Sequence, residues 1–370
     1  MLTRTILRAA VIAVIAAMAS NGLRAQTATP PPQTFSTTIY FDYNSNVSQD
    51  GAMTGTDAAK ALNNKFAFRR AYFTYENKIS DELKFRFRLD ADNTGNLTST
   101  SGSKDDKLRP FVKHIYLEWS QDWLQSKFNL GMIETLSFKL AEDRWGFRSV
   151  AKTLVDGYKD ITGVDIRQSS ADIGLSWKGT PARPLRFGLG VFNGEGYSHP
   201  ELNKFKKFES YVQIIPVGGM NVFAYTDYEK QVTTDSSNRK AMTYKVDGYF
   251  DMVKNLNISA EWFIFDNDKN FDVVTNADGT KSESHFNASG WSVFGTYKIV
   301  PDKLGVFARY DSYQPKSTLS SKDMSLVILG FDWFAWGPSA RIQPNVWITS
   351  YRDSAKKSDI VANLTFLMSF

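Results

Sequence analysis

The stretch that most constrains this chain is its last, residues 358–370, reading SDIVANLTFLMSF. Ile360, Ala362, Leu364, Phe366, Met368 and Phe370 are apolar and fall on alternate positions, with Val361, Asn363, Thr365, Leu367 and Ser369 between them. Side chains on a strand alternate faces, so one face is continuously apolar and the other is mixed, mostly small or polar. The segment is long enough to cross a bilayer as a tilted strand. An amphipathic strand in a soluble sandwich has the same pattern, so the rest of the chain must decide.

The pattern recurs through the sequence. Strand-like segments are expected at 35–47, 63–77, 82–92, 111–121, 126–134, 170–178, 185–193, 206–215 and 219–229. They continue at 240–250, 255–266, 288–300, 303–313, 323–335, 339–351 and 358–370. That makes roughly sixteen strands, many near the nine to eleven residues a bilayer demands. The connections alternate between tight turns, such as 77–82, 122–125, 216–219 and 301–302, and long polar ones, such as 50–62, 93–110, 194–205 and 267–287. Short turns at one end and long loops at the other define an up-and-down barrel. A Greek-key sandwich has no reason to keep that parity. Trp119, Trp177 and Trp333 fall at the lower ends of descending strands, with Trp123 and Trp336 in adjacent turns and Trp291 at the upper edge. They mark two interfacial aromatic belts.

The amino terminus carries Arg4 and Arg8 before an apolar run at 6–19, then small residues with cleavage sites after Ala19 or Ala25. Residues 1–25 are read as a secretory signal, followed by a short leader at 26–34 and the barrel at 35–370. The net charge of +5 loses three arginines with that segment, so the mature chain is only slightly basic and does not point to nucleic acid. There is no cysteine, hence no disulfide framework and no thiolate metal site. No cofactor is expected.

The parity requires residues 134–169 to be one connection, the third long loop, although 161–166 looks strand-like. Loops this long are usually functional. It mixes both charges and carries Trp145, Phe147 and Tyr158, an aromatic content suited to lying against the inside of a wall. Arg144, Arg148, Lys152, Asp156 and Lys159 are the candidate constriction residues. Assigning the apolar register to lipid turns Arg70, Lys84, Arg86, Arg88, Glu118, Lys127, Arg186, Glu261, Arg309 and Arg341 into the lumen. A charge facing lipid at mid-membrane costs roughly 2–4 kcal/mol, which fixes the direction. The acids Asp172, Glu209, Asp247, Asp311 and Asp332 share that register. Pro344 removes a ladder donor, and a local bulge is expected there.

The arrangement resembles a bacterial outer-membrane porin. More narrowly, it is similar to the family of sixteen-stranded barrels that includes the phosphate-selective porins. Phe68-Arg69-Arg70-Ala71, Val191-Phe192-Asn193-Gly194, the long third loop and the terminal Phe370 carry the resemblance. It implies a homotrimer embedded in outer-membrane lipid, each subunit with a water-filled pore narrowed by the third loop. Strict phosphate selectivity does not carry over, because this loop mixes acids and bases almost evenly. The expected function is a diffusion channel for small hydrophilic solutes and ions, mildly anion-preferring. The alternative is an outer-membrane barrel with an enzymatic or structural role. An enzyme needs an activated nucleophile or a metal. The only histidines are His114, beside Tyr116 and Glu118 without a neighbouring Ser on its face, and His199 and His285 in loops.

Overall fold

The computed structural model describes residues 32–48, 64–92, 97–98, 104–105, 109–201, 203–231, 239–275 and 280–370. The expected signal segment at 1–25 and most of the expected leader lie outside them. Sixteen antiparallel strands close one barrel, each bonded to its sequence neighbours and the first to the last. They are β1 (Gln33–Ser48), β2 (Lys65–Lys78), β3 (Leu83–Asp92), β4 (Arg109–Gln121), β5 (Ser126–Glu134), β6 (Ala171–Ala182), β7 (Leu185–Phe192) and β8 (Lys207–Ile214). The second half is β9 (Met220–Lys230), β10 (Lys240–Phe250), β11 (Leu256–Asn267), β12 (Ala288–Val300), β13 (Leu304–Gln314), β14 (Met324–Trp333), β15 (Ala340–Tyr351) and β16 (Asp359–Ser369). Each expected segment falls on one of them. Phe370 completes the seam, exchanging backbone hydrogen bonds of 2.9 Å with Thr37 in both directions.

The two registers separate as the sequence requires. On β9, Val222 and Tyr228 are exposed outward while Asn221, Phe223, Tyr225, Asp227 and Glu229 are buried inward. Trp119, Trp123, Trp177 and Phe128 cluster near the short-turn end, with ring centroids 5.5–6.0 Å apart.

Among the register shifts, two modify the alternation beside inward cations. Between β1 and β2 the register passes from Tyr40–Arg70 to Phe41–Phe68, leaving Arg69 as the extra residue. Between β3 and β4 it passes from Arg88–His114 to Leu89–Val112, leaving Lys113 extra. Strict alternation would send one member of Arg69/Arg70 and of Lys113/His114 into lipid; an inserted residue lets both turn inward. At Pro344 the expected bulge is absent. Pro344 pairs with Leu364 on β16 in unbroken register, and the β14 pairing resumes unshifted on either side, from Gly330–Asn345 to Trp333–Ile342. A strand residue bonds to one neighbour only, so the missing N–H interrupts one ladder without inserting a residue.

The core lies inside the barrel. The connection between β5 and β6 carries two helices that the sequence reading did not assign, α1 (Lys139–Trp145) and α2 (Leu154–Thr162). Each stops at a left-handed glycine, Gly146 (φ 69°) and Gly163 (φ 74°). Residues 161 and 162 end α2 and residues 164–166 are irregular, so the strand-like stretch forms no strand. Trp145, fully buried, meets Phe294 at 5.3 Å and Phe307 at 5.8 Å, while Phe147 meets Phe307 at 4.2 Å. Tyr158 packs 5.0 Å from Phe263 and donates to the Ser289 carbonyl at 3.0 Å. The loop is rooted at β5 and β6 yet reaches β11, β12 and β13, so it crosses the interior.

Truncating a buried Trp costs about 3–5 kcal/mol. Trp145→Ala is therefore expected to release the loop while leaving the barrel closed. Limited proteolysis of the protein in vesicles should show faster cleavage between residues 135 and 170 with unchanged strand content. Unchanged protection of that segment would contradict the packing.

Candidate functional site

The wall not covered by the aromatic loop packing is charged, and it is built from β1 to β4. Arg70 pairs with Asp92 at 2.6 Å and Asp90 at 3.3 Å. Lys113, turned inward by its bulge, pairs with the same Asp90 at 3.1 Å. Arg69 pairs with Asp42 at 2.8 Å and donates to the Val150 carbonyl of the loop at 2.7 Å. Below them, Lys84 and Arg86 share Glu76 at 3.0 and 3.5 Å, and Arg86 lies 3.7 Å from Glu134. Arg88 differs. Its Nε donates to the Thr74 hydroxyl at 2.8 Å and its guanidinium lies 5.0 Å from the Tyr72 ring. No carboxylate among the described residues holds it within ion-pair distance.

The loop faces this wall. Arg148 sits between Glu142 at 3.3 Å and Asp156 at 3.2 Å, and Lys152 pairs with Asp160 at 2.8 Å. A cavity of about 240 Å³ separates the loop from the wall, lined by Tyr40, Arg69, Arg70, Arg148, Lys152 and Trp347 among others. Burial pushes the Asp156 carboxyl up, but Arg148, Lys152, Lys113 and Arg70 outweigh it and leave it below the usual range. Glu142 moves the other way, because burial and the charge of Asp156 outweigh Arg148. Both carboxylates feel Lys113 on the facing wall, which places acids of the loop opposite bases of the barrel.

The remaining sequence-assigned residues occupy other positions. Glu118 and Lys127 pair at 3.1 Å near the short-turn end, and Arg186 projects from the inward register there. Arg341 pairs with Asp332 at 2.8 Å. Glu261 is buried 3.7 Å from Lys245, and Arg309 is held by Asp311 at 2.7 Å while donating to the Lys152 carbonyl at 2.6 Å. Arg309 therefore fastens the loop. Arg144 does likewise through Asp251, and Lys159 pairs with Asp165 at 2.7 Å on an exposed part of the loop. Arg69 and Lys113 were missed by strict alternation. The signal was present, because adjacent cations in a membrane strand cannot both face water without a bulge.

No family model and no curated protein matches this chain. Solved structures do. An anion-selective porin from Comamonas acidovorans superposes with a TM-score of 0.63 at 11% identity, over 92% of this chain and 99% of that one. The outer membrane channel DcaP of Acinetobacter baumannii gives 0.61 at 12% identity, over 93% and 99%. OmpT of Vibrio cholerae, an outer membrane protein solved in a trimer form, gives 0.59 at 15% identity, over 92% and 100%. At these identities the likeness establishes a shared porin-like, sixteen-stranded barrel fold.

Asp90 is fully buried and serves both Arg70 and Lys113. Removing one partner of a buried ion pair strands the other charge, at about 3–5 kcal/mol. Asp90→Asn is expected to lower stability by that order in urea unfolding from vesicles. A change below ~1 kcal/mol, typical of exposed pairs, would show that these charges are solvated.

Proposed function

We propose that the protein is a porin of the bacterial outer membrane, a water-filled channel through which small hydrophilic solutes and ions diffuse, with a mild preference for anions. One observation carries this reading: the third loop packs on the aromatic inner face of β11, β12 and β13, and a cavity remains between the loop and the charged wall of β1 and β2. A lumen built only for stability would be sealed throughout. Bases on the wall and acids on the loop set up a field across the passage, which orients dipolar solutes while leaving a wet path. The outward apolar register supplies the contact with outer-membrane lipid. A homotrimer agrees with the trimer form of the Vibrio cholerae protein of like fold.

The anion preference rests on the ladder Lys84, Arg86 and Arg88. Successive members are about 7 Å apart along the strand, inside the roughly 8 Å Debye length of physiological salt. Glu76 and Glu134 offset the lower two, so Arg88 contributes most of the field. Single-channel recording in planar bilayers should show a stable open current and a zero-current potential, under a salt gradient, on the anion side. Replacing Lys84, Arg86 and Arg88 by Gln should move that potential towards cations, with Arg88→Gln alone giving the larger part of the shift. Absence of any current would contradict the channel, and an unmoved potential would contradict the role of the ladder.

The loop adds a pH dependence. Glu142 takes up a proton above the ordinary glutamate range, while Asp156 keeps its charge to lower pH. On acidification the passage therefore loses a negative charge first and becomes more anion-preferring. Glu142→Gln should abolish this early step. A wild-type potential independent of pH, or the same step in the Gln variant, would contradict the assignment.

A further inference from the structure

Residues 193–197, the start of the fourth long loop, also reach into the barrel. The loop leaves β7 through Val191-Phe192-Asn193-Gly194 and continues as Glu195-Gly196-Tyr197. The Asp172 carboxylate at the start of β6 clamps this turn. It accepts the Gly194 N–H at 2.7 Å with one oxygen and the Ile173 N–H of its own strand at 2.7 Å with the other. Both glycines are left-handed (φ 99° and 75°), and a Cβ on Gly196 would lie 2.6 Å from the Ser169 hydroxyl. Only glycine fits there, so the turn is held in one shape against the end of the third loop.

That shape projects Tyr197 across the lumen. Its ring stacks on Phe111 of β4, 5.4 Å away and nearly parallel, although β5 and β6 separate β4 from β7. The Lys113 ammonium lies between two tyrosine faces, 5.1 Å from Tyr197 and 5.6 Å from Tyr72. The Tyr197 hydroxyl feels Arg70, Asp90 and Asp92 on the wall and Asp156 on α2. Burial, with those acids, raises it to about 12, so it is neutral at ordinary pH. The residue hangs in the gap between wall and loop.

We propose that residues 193–197 form a second jaw of the constriction, in which Tyr197 determines which solutes pass and Asp172 positions it. This rests on the channel reading. The jaw narrows the passage above the Arg70–Lys113 cluster and covers one side of the Lys113 ammonium, so it limits solute size and moderates the attraction for anions. A phenyl ring suffices for both effects, and the hydroxyl is dispensable.

The test uses the full-length protein in planar bilayers and in liposomes challenged with neutral sugars of increasing size. Tyr197→Ala should raise single-channel conductance, admit larger sugars and move the zero-current potential further towards anions. Tyr197→Phe should keep all three wild-type values. Asp172→Asn should follow Tyr197→Ala, because the carboxylate holds the Gly194 amide; if that variant does not fold, the Tyr197 pair still decides. A conducting wild type whose conductance, sugar limit and potential are unchanged in Tyr197→Ala overturns the jaw alone. A wild type without current removes the channel reading, and the jaw with it.

Discussion

The rest of the structure depends on the packing of Trp145, Phe147 and Tyr158 against the inside of the barrel. The inward register of β11, β12 and β13 is unusually aromatic, with Phe263, Phe265, Phe294, Phe307 and Tyr313 all buried. Left facing water, that surface would oppose a hydrated lumen, since burying a large apolar side chain stabilises by about 1.5–3 kcal/mol relative to exposing it. The third loop covers it. Once the loop is seated there, only the opposite side can stay open. The placement of Arg148 opposite the charged wall follows from this contact surface.

The open half solves a different problem. Its cations must face inward, yet every one taken from water needs a partner. The two bulges place Arg69 beside Arg70 and Lys113 beside His114, and the acids Asp42, Asp90 and Asp92 stand opposite them. Most of the charge is thereby used to hold the wall rigid. Arg88 is held by a hydroxyl and a ring face and not by a carboxylate among the described residues, which is what its proposed role towards solutes requires.

The barrel was legible because its signals are redundant: period-two alternation, turn parity and Trp placement each report the same topology. Pore direction followed from the cost of a charge in lipid. What escaped was wherever a local event breaks the period. Arg69 and Lys113 depend on bulges, which alternation counts as errors. Phe263 sits in the polar register of β11, against the alternation, and marks the wall the loop covers. The loop helices are short, and their clearest marks were the glycines at 146 and 163 that end them. Pro344 was misjudged because a missing donor was equated with an inserted residue. The Asp172 clamp joins residues remote in sequence, so no local motif displays it.

The central claim is that the passage runs along the charged wall and that the aromatic half is closed. The chain has no cysteine, so single thiols can be placed without background. Cysteines at Lys84 and Arg88 should react with a charged, membrane-impermeant thiosulfonate and change the current. Cysteines at Ser259 and Ser292, inward but buried, should be inert. Reaction and block at Ser259 or Ser292, with Lys84 and Arg88 silent, would place the passage on the other side and contradict the account.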